Sequence, residues 1–427
     1  MANIFFTCLG SLGDLYPYLS VAKALERRGH HTVIASSSIY KQQIEAEGLT
    51  FAHIRSELDQ YDHPDKVRDF LTCVFDPIKG GEFITRTLMA RIDETYEDTF
   101  TLLAKADLVI SNPLSYATPI ACRERQIPWL STVLAPMFFL STYDPPHISA
   151  APWLGKVHQF SPGLYRFLFK LIKMASKPWC KPLYHLCKQL NIDPPEGHPL
   201  FEGQYSPHGT LAMFPFGFGP PQPDWPANTH ITGFPLYSAE MADTKALRKL
   251  DAFLTQGEPP IVFALGSSAV NIAGDFYRTS TEIARRLNKR AVLVCGQQED
   301  QLTDLSQDEN IFVINYVAYD KLFPKACLIV HQGGIGTLAQ SVYAEKPVLV
   351  VPFGFDQFDN GERVTKLGIG RTLSRENYKA ETAMPTFKEL LSESKYAINA
   401  EKIVSSLMKE NGTENACDVI EQTLGPT

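Results

Sequence analysis

No stretch of the 427 residues approaches the roughly 18 uninterrupted apolar residues of a membrane-spanning helix, so no segment is expected to cross a bilayer. The eight cysteines never reach C-x-x-C spacing, and a chain this long can bury a core without covalent staples; they read as reduced thiols of a cytoplasmic protein. Basic residues are not in excess. Forty Lys and Arg against 47 Asp and Glu leave −7, which argues against a nucleic-acid partner held on a broad basic surface. The amino terminus carries no basic residue ahead of its short apolar run and meets Gly10 at once, so it reads as a first strand and not as a secretory signal. The sequon Asn411-Gly412-Thr413 then lacks a secretory context. At 44% apolar and 20% charged, the composition also excludes collagenous, coiled-coil and largely disordered classes.

One absence is local. Residues 145–192 contain no Asp or Glu, where average usage would place about five, yet they carry Lys156, Arg166, Lys170, Lys173, Lys177, Lys181 and Lys188. Within them Leu164, Phe167, Leu168, Leu171, Ile172 and Ala175 keep helical spacing, while Arg166, Lys170, Lys173 and Lys177 form a second stripe. This is a basic amphipathic helix. Two readings stand: a helix docked on its own domain by the apolar stripe, or peripheral contact of 160–181 with an anionic membrane surface.

What the chain does contain is a series of short β-branched and aromatic runs at 4–8, 32–35, 108–111 and 129–132, then at 261–265, 291–295, 311–315, 328–331 and 348–351. Continuous apolar runs separated by amphipathic helices indicate parallel sheets covered on both faces. Further strands are expected at 210–218 and 230–234. The fold class is α/β, with two doubly wound Rossmann-like domains facing across a cleft. The expected boundaries are 1–235, a polar linker at 236–259, a second domain over 260–410 and a last helix over 411–427 that can return to the first domain.

Chemistry concentrates after two apolar runs of the second half. Leu328-Ile329-Val330-His331-Gln332-Gly333-Gly334-Ile335-Gly336-Thr337 is a strand running into glycines and then a helix expected to begin near Thr337. Glycines let a backbone approach a ligand closely, and a helix N-terminus favours a phosphate; His331 is placed to donate to the same oxygens. Farther on, Pro352-Phe353-Gly354-Phe355-Asp356-Gln357-Phe358-Asp359-Asn360 brings Asp356 and Gln357, suited to adjacent sugar hydroxyls, or to capping a helix.

These residues resemble a known family. His331 to Thr337 followed by Pro347, Pro352 and Asp356-Gln357-x-x-Asn360 is similar to the donor-binding motif of the family 1 nucleotide-sugar glycosyltransferases, which have the GT-B fold. Gly10-Ser11-Leu12-Gly13-Asp14-Leu15-Tyr16-Pro17 is similar to the first loop of the bacterial antibiotic and sterol branches. The run Pro220 to Pro226 and Gly333-Gly334-Ile335-Gly336 also resemble the rhamnolipid rhamnosyltransferases.

The resemblance implies an inverting transfer from a nucleoside-diphosphate sugar, of UDP-glucose or dTDP-rhamnose type, to a hydroxyl of a lipophilic or aromatic small acceptor. Asp14 would be the base, although the same residue could cap the helix expected to contain Pro17 to Arg28 with Pro17 in its first turn. His331, Gly333, Gly334, Gly336, Thr337 and Ser267 would hold the phosphates, Tyr316 and Val317 the base, and Asp356, Gln357 and Asn360 the sugar. Phe138, Phe139 and Trp153 suit an acceptor wall. No D-x-D pair occurs, which fits departure of the diphosphate without a metal; no cofactor is expected. Where plant members carry a ribose-binding Glu this chain has Ala339, compatible with a deoxyribose donor. A nucleotide-sugar epimerase and a non-catalytic sugar-nucleotide binder are the alternatives.

Overall fold

Strands that are apolar along their whole length need cover on both faces, and the chain builds two all-parallel sheets flanked by helices. The structure, a computed structural model, describes residues 1–425 apart from 62, 239–243, 297, 298, 300, 301 and 408–410. It divides into two units, Met1–Tyr237 with Glu410–Thr427, and Ser238–Lys409.

The first unit contains β1 (Asn3–Cys8), β2 (His31–Ser36), β3 (Thr50–His53), β4 (Leu108–Ser111), β5 (Trp129–Val133), β6 (Thr210–Ala212) and β7 (Thr229–Ile231), in the order β3-β2-β1-β4-β5-β6-β7. The second contains β8 (Ile261–Ala264), β9 (Ala291–Val294), β10 (Ile311–Ile314), β11 (Leu328–His331), β12 (Val348–Val350) and β13 (Gly370–Thr372), in the order β10-β9-β8-β11-β12-β13. Each sheet therefore reverses its winding once, between β1 and β4 and between β8 and β11. Open α/β sheets bind ligands outside the carboxyl ends of the strands at such a reversal. The Gly10–Pro17 and His331–Thr337 segments lie there, and Asp356-Gln357-x-x-Asn360 follows the neighbouring β12.

Several elements differ from expectation. The runs at 210–218 and 230–234 yield strands of only three residues; Pro215, three residues past the end of β6, cannot donate to a ladder. β3 and β13 were missed, being short and partly polar edge strands. Inside the stretch read as a linker, Lys245–Thr255 forms a helix that buries Leu250; 239–243 lie outside the described residues. The first helix runs Leu12–Arg27, five residues earlier than Pro17, because Ser11 supplies the N-cap; Pro17 is buried inside it.

The last helix, Gly412–Leu424, packs on Leu12–Arg27 within the first unit. Arg28 binds Glu414, Asp418 and Glu421, the latter two at 2.7 Å, and Ala416, Cys417 and Ile420 are buried. Gly412 meets the first unit so closely that a Cβ there would fall 2.3 Å from the carbonyl of Phe234. Asn411 of the sequon caps this helix through Glu414 N–H. All eight cysteines are free thiols, and among the described residues no helix is long and apolar enough to cross a membrane.

Candidate functional site

In the second unit, β11 is buried throughout and ends at His331. The chain then turns through Gly333 at φ +89°, where a Cβ would lie 2.6 Å from Val350 Cγ1 and 3.1 Å from the Gln357 carbonyl. Only glycine fits this turn. The helix Ile335–Tyr343 starts at Gly334, which has no side chain to cap it, so among the described residues its first N–H groups meet no capping side chain, and a Cβ on Gly336 would meet open space. Free amides and the helix dipole make this N-terminus a place for a phosphate. Gln332, which the sequence reading did not single out, ties the loop to the end of β8: its Oε1 accepts Gly266 N–H at 3.0 Å. A Cβ on Gly266 would lie 2.2 Å from Gln332 Nε2, so a side chain there would displace the amide that ties the loop to β8. Ser267 stands exposed beside it, and Thr337 is buried at the helix start.

His331 is turned into the protein. Its Nδ1 accepts Gly333 N–H at 2.9 Å, and Nε2 lies 3.2 Å from Ser341 Oγ, which donates to Leu338 C=O at 2.8 Å. The ring is fully buried, and burial drives its pKa down to about 3. Both imidazole nitrogens are thus engaged inside the protein, with Nδ1 holding the Gly333 turn of the loop.

The second segment is likewise turned partly inward. Phe355 takes φ +48°, ψ −130°, a strained conformation for a residue with a side chain, and stands as N-cap of the helix Asp356–Lys366. Asp356 and Gln357 therefore sit in the first helical turn and not at the cap. Gln357 Oε1 accepts the N–H groups of Phe353 at 2.8 Å and Gly354 at 3.1 Å. Asn360 Nδ2 donates to Gly333 C=O at 2.9 Å and Asp356 Oδ2 at 2.8 Å, while its buried Oδ1 has no partner among the described residues. Asn360 thus joins the two motifs of the sequence into one site.

In the first unit, Asp14 lies at the reversal between β1 and β4. Its Oδ2 accepts Ser11 N–H at 2.8 Å and Ser11 Oγ–H at 2.9 Å; Asn112 Nδ2, at the end of β4, lies 3.5 Å from Oδ1. Asp14 is the third helical residue of a capping box, whose N-cap is Ser11. Burial raises its carboxyl pKa above the ordinary value, and the hydrogen bonds from Ser11 and Asn112 pull the other way. Gly10 permits this close approach, for a Cβ would fall 2.6 Å from Asp14 Oδ2.

The chain matches the family model for the glycosyltransferase family 28 N-terminal domain over residues 4–143 and that for the C-terminal domain of erythromycin biosynthesis protein CIII-like proteins over 284–421. It is 26% identical over 440 residues to O-mycaminosyltylonolide 6-deoxyallosyltransferase of Streptomyces fradiae, covering 98% of this chain and 97% of that one. It is also 26% identical over 452 residues to a sterol 3-beta-glucosyltransferase of Aspergillus terreus, 99% of this chain but only 30% of that protein's length. The calicheamicin glycosyltransferase superposes with a TM-score of 0.73 at 16% identity, covering 100% and 99% of the two chains. The glycosyltransferase VinC in complex with dTDP gives 0.69 at 18% identity, covering 99% of each. At such identities the structural likeness establishes the fold alone.

The chain belongs to the family 1 glycosyltransferases.

For a GT-B glycosyltransferase the remaining expected residues divide clearly. Tyr316 follows β10 and is 46% exposed, whereas Val317 is buried in the core. Phe139 is a core residue and not an acceptor wall: its ring stacks on Trp225 at 4.0 Å and meets Phe214 edge-on. Phe138 is half-buried, its carbonyl accepting Tyr205 O–H, and Trp153 stands exposed at the start of the helix Trp153–Phe160. Beside Asn112 the glycosyltransferase has only a small cavity of about 10 Å³ lined by Ser111, Pro113, Tyr116, Leu183 and Pro195, room for about one water and far below the roughly 300–1,000 Å³ of most ligand sites. Asn112 was not singled out in the sequence; its signal is a polar residue closing an apolar strand directly before Pro113.

Proposed function

We propose that this glycosyltransferase moves a hexose or deoxyhexose, with inversion and without a metal, from a UDP-glucose or dTDP-rhamnose type donor to a hydroxyl of a small lipophilic acceptor. The observation that carries the reading is the Asp14 carboxylate at the β1–β4 reversal, held by Ser11 and Asn112 and shifted toward higher pKa by burial. A carboxylate far less basic than an alkoxide works by position, accepting the hydroxyl proton as the O–C1 bond forms and the C1–O bond to the diphosphate breaks. Charge then accumulates on the leaving diphosphate. The uncapped start of Ile335–Tyr343 and Thr337 would stabilise it, a preorganised electrostatic contribution.

The buried Ala339 offers no ribose contact, which supports a donor whose sugar does not depend on that position. Relatives named for 6-deoxyallosyl and sterol glucosyl transfer support deoxyhexose and glucose as the sugars to try, and lipophilic hydroxyls as acceptors. The test is a matrix of UDP-glucose and dTDP-rhamnose against sterol, hydroxy-fatty-acid and phenolic acceptors, run with and without a chelator. The reading expects acceptor-dependent release of nucleoside diphosphate, unaffected by the chelator, and a product of inverted anomeric configuration by NMR. Release without any acceptor, retention of configuration or chelator-sensitive transfer would each defeat part of it.

A further inference from the structure

The helix Pro162–Ser176 docks on the first unit by a different face from the one its sequence suggests. Tyr165, Phe169 and Ser176 are buried, the two aromatic rings in a cluster with Leu154. The apolar line Leu164, Phe167, Leu171 and Met174 points to solvent, with Phe167 58% and Met174 63% exposed. Phe160, at 92% exposure, and Trp153, at 52%, extend the ridge from the preceding helix. Six large apolar side chains on two consecutive helices are more than isolated surface residues. The reading in which the stripe is the docking face is therefore overturned for Leu164, Phe167 and Leu171.

Charge identifies the occupant. Arg166, Lys170 and Lys177 recur along one flank of the exposed line, and Lys156, Lys181 and Lys188 are exposed on the adjoining helices. Lys173 is different: it pairs with Glu202 and lies 5.1 Å from the centre of the Phe201 ring. No carboxylate occurs between 145 and 192 to neutralise the others, although the whole chain is acidic. We propose that this face is a docking surface for an anionic lipid bilayer, with the helix lying in the interface plane, its apolar line among the acyl chains and its basic flank on the headgroups. A helix face is convex, and a bilayer deforms around a convex ridge. A second copy of this chain would instead oppose the same cations to one another. The inference concerns attachment and does not rest on the transfer reaction.

Flotation of the full chain with vesicles tests it. Wild type is expected to float with vesicles of phosphatidylglycerol and phosphatidylcholine at low salt, to be released at high salt, and to ignore pure phosphatidylcholine. Arg166→Gln, Lys170→Gln and Lys177→Gln combined should lower the partition coefficient on the order of 10²-fold. Phe160→Ser with Phe167→Ser should lower it at every salt concentration; both sites are exposed, so circular dichroism and the melting temperature should stay at wild-type values. Failure of wild type to float, equal flotation of the variants, or a dimer that depends on Phe160 and Phe167 while vesicles are ignored would overturn the proposal.

Discussion

At the scale of single residues, His331 shows how a buried titratable group reports on its surroundings. The folded protein holds it neutral, with a pKa near 3, whereas in the unfolded chain it takes up a proton near the ordinary value of about 6.5. Between those values the unfolded state binds more protons, so stability is complete above about pH 6.5 and falls as the solution is acidified. His331→Gln should remove this contribution. Denaturant unfolding between pH 6.5 and 4 is expected to show wild type losing stability more steeply than the variant, by up to about 1.4 kcal/mol per pH unit. Parallel profiles would mean that the imidazole is not buried as described.

Under the proposed reaction Asn112 would position Asp14. Its amide reaches Asp14 Oδ1 and favours the charged carboxylate, so Asn112→Ala should raise the Asp14 pKa further. The expected result is an acidic limb of the kcat profile displaced to higher pH, with kcat down by roughly tenfold and donor KM little changed. A uniform loss across pH would assign Asn112 a structural role only.

At the scale of elements, apolar runs found most of the parallel strands because strands buried on both faces need no polar alternation, as 108–111 and 328–331 illustrate. The edge strands β3 and β13 were not legible, since Thr50–His53 is half exposed and Gly370 serves a close approach to the Val348 carbonyl that no pattern encodes. The glycine loop was legible as a phosphate cradle, but the inward commitment of His331 and Gln357 was not: it depends on Ser341, Phe353 and Gly354 arriving by tertiary packing. The terminal helix gives a direct test of close packing. Gly412→Ala would press a methyl into the Phe234 carbonyl and should cost about 1–3 kcal/mol. Gly163→Ala, inside a helix where a Cβ meets nothing within 4 Å, should be neutral or stabilising. Urea denaturation of both variants checks the contrast; equal effects would contradict the described seating of Gly412–Leu424.

At the scale of the whole molecule, each unit uses one device: a parallel sheet that reverses its winding, a glycine turn at the reversal and a helix N-terminus opening there. In the first unit that helix begins with the Ser11 and Asp14 capping box; in the second it is left uncapped. The first arrangement fixes a carboxylate, and the second offers bare amides to an anion. This difference underlies the assignment of the base to one unit and the diphosphate to the other. The most direct test compares wild type with Asp14→Asn, which keeps the shape and most of the capping capacity while removing the base. The account predicts a folded variant with donor affinity unchanged and acceptor-dependent transfer reduced by about 10²-fold or more. A folded Asp14→Asn enzyme that transfers sugar at the wild-type rate would contradict it.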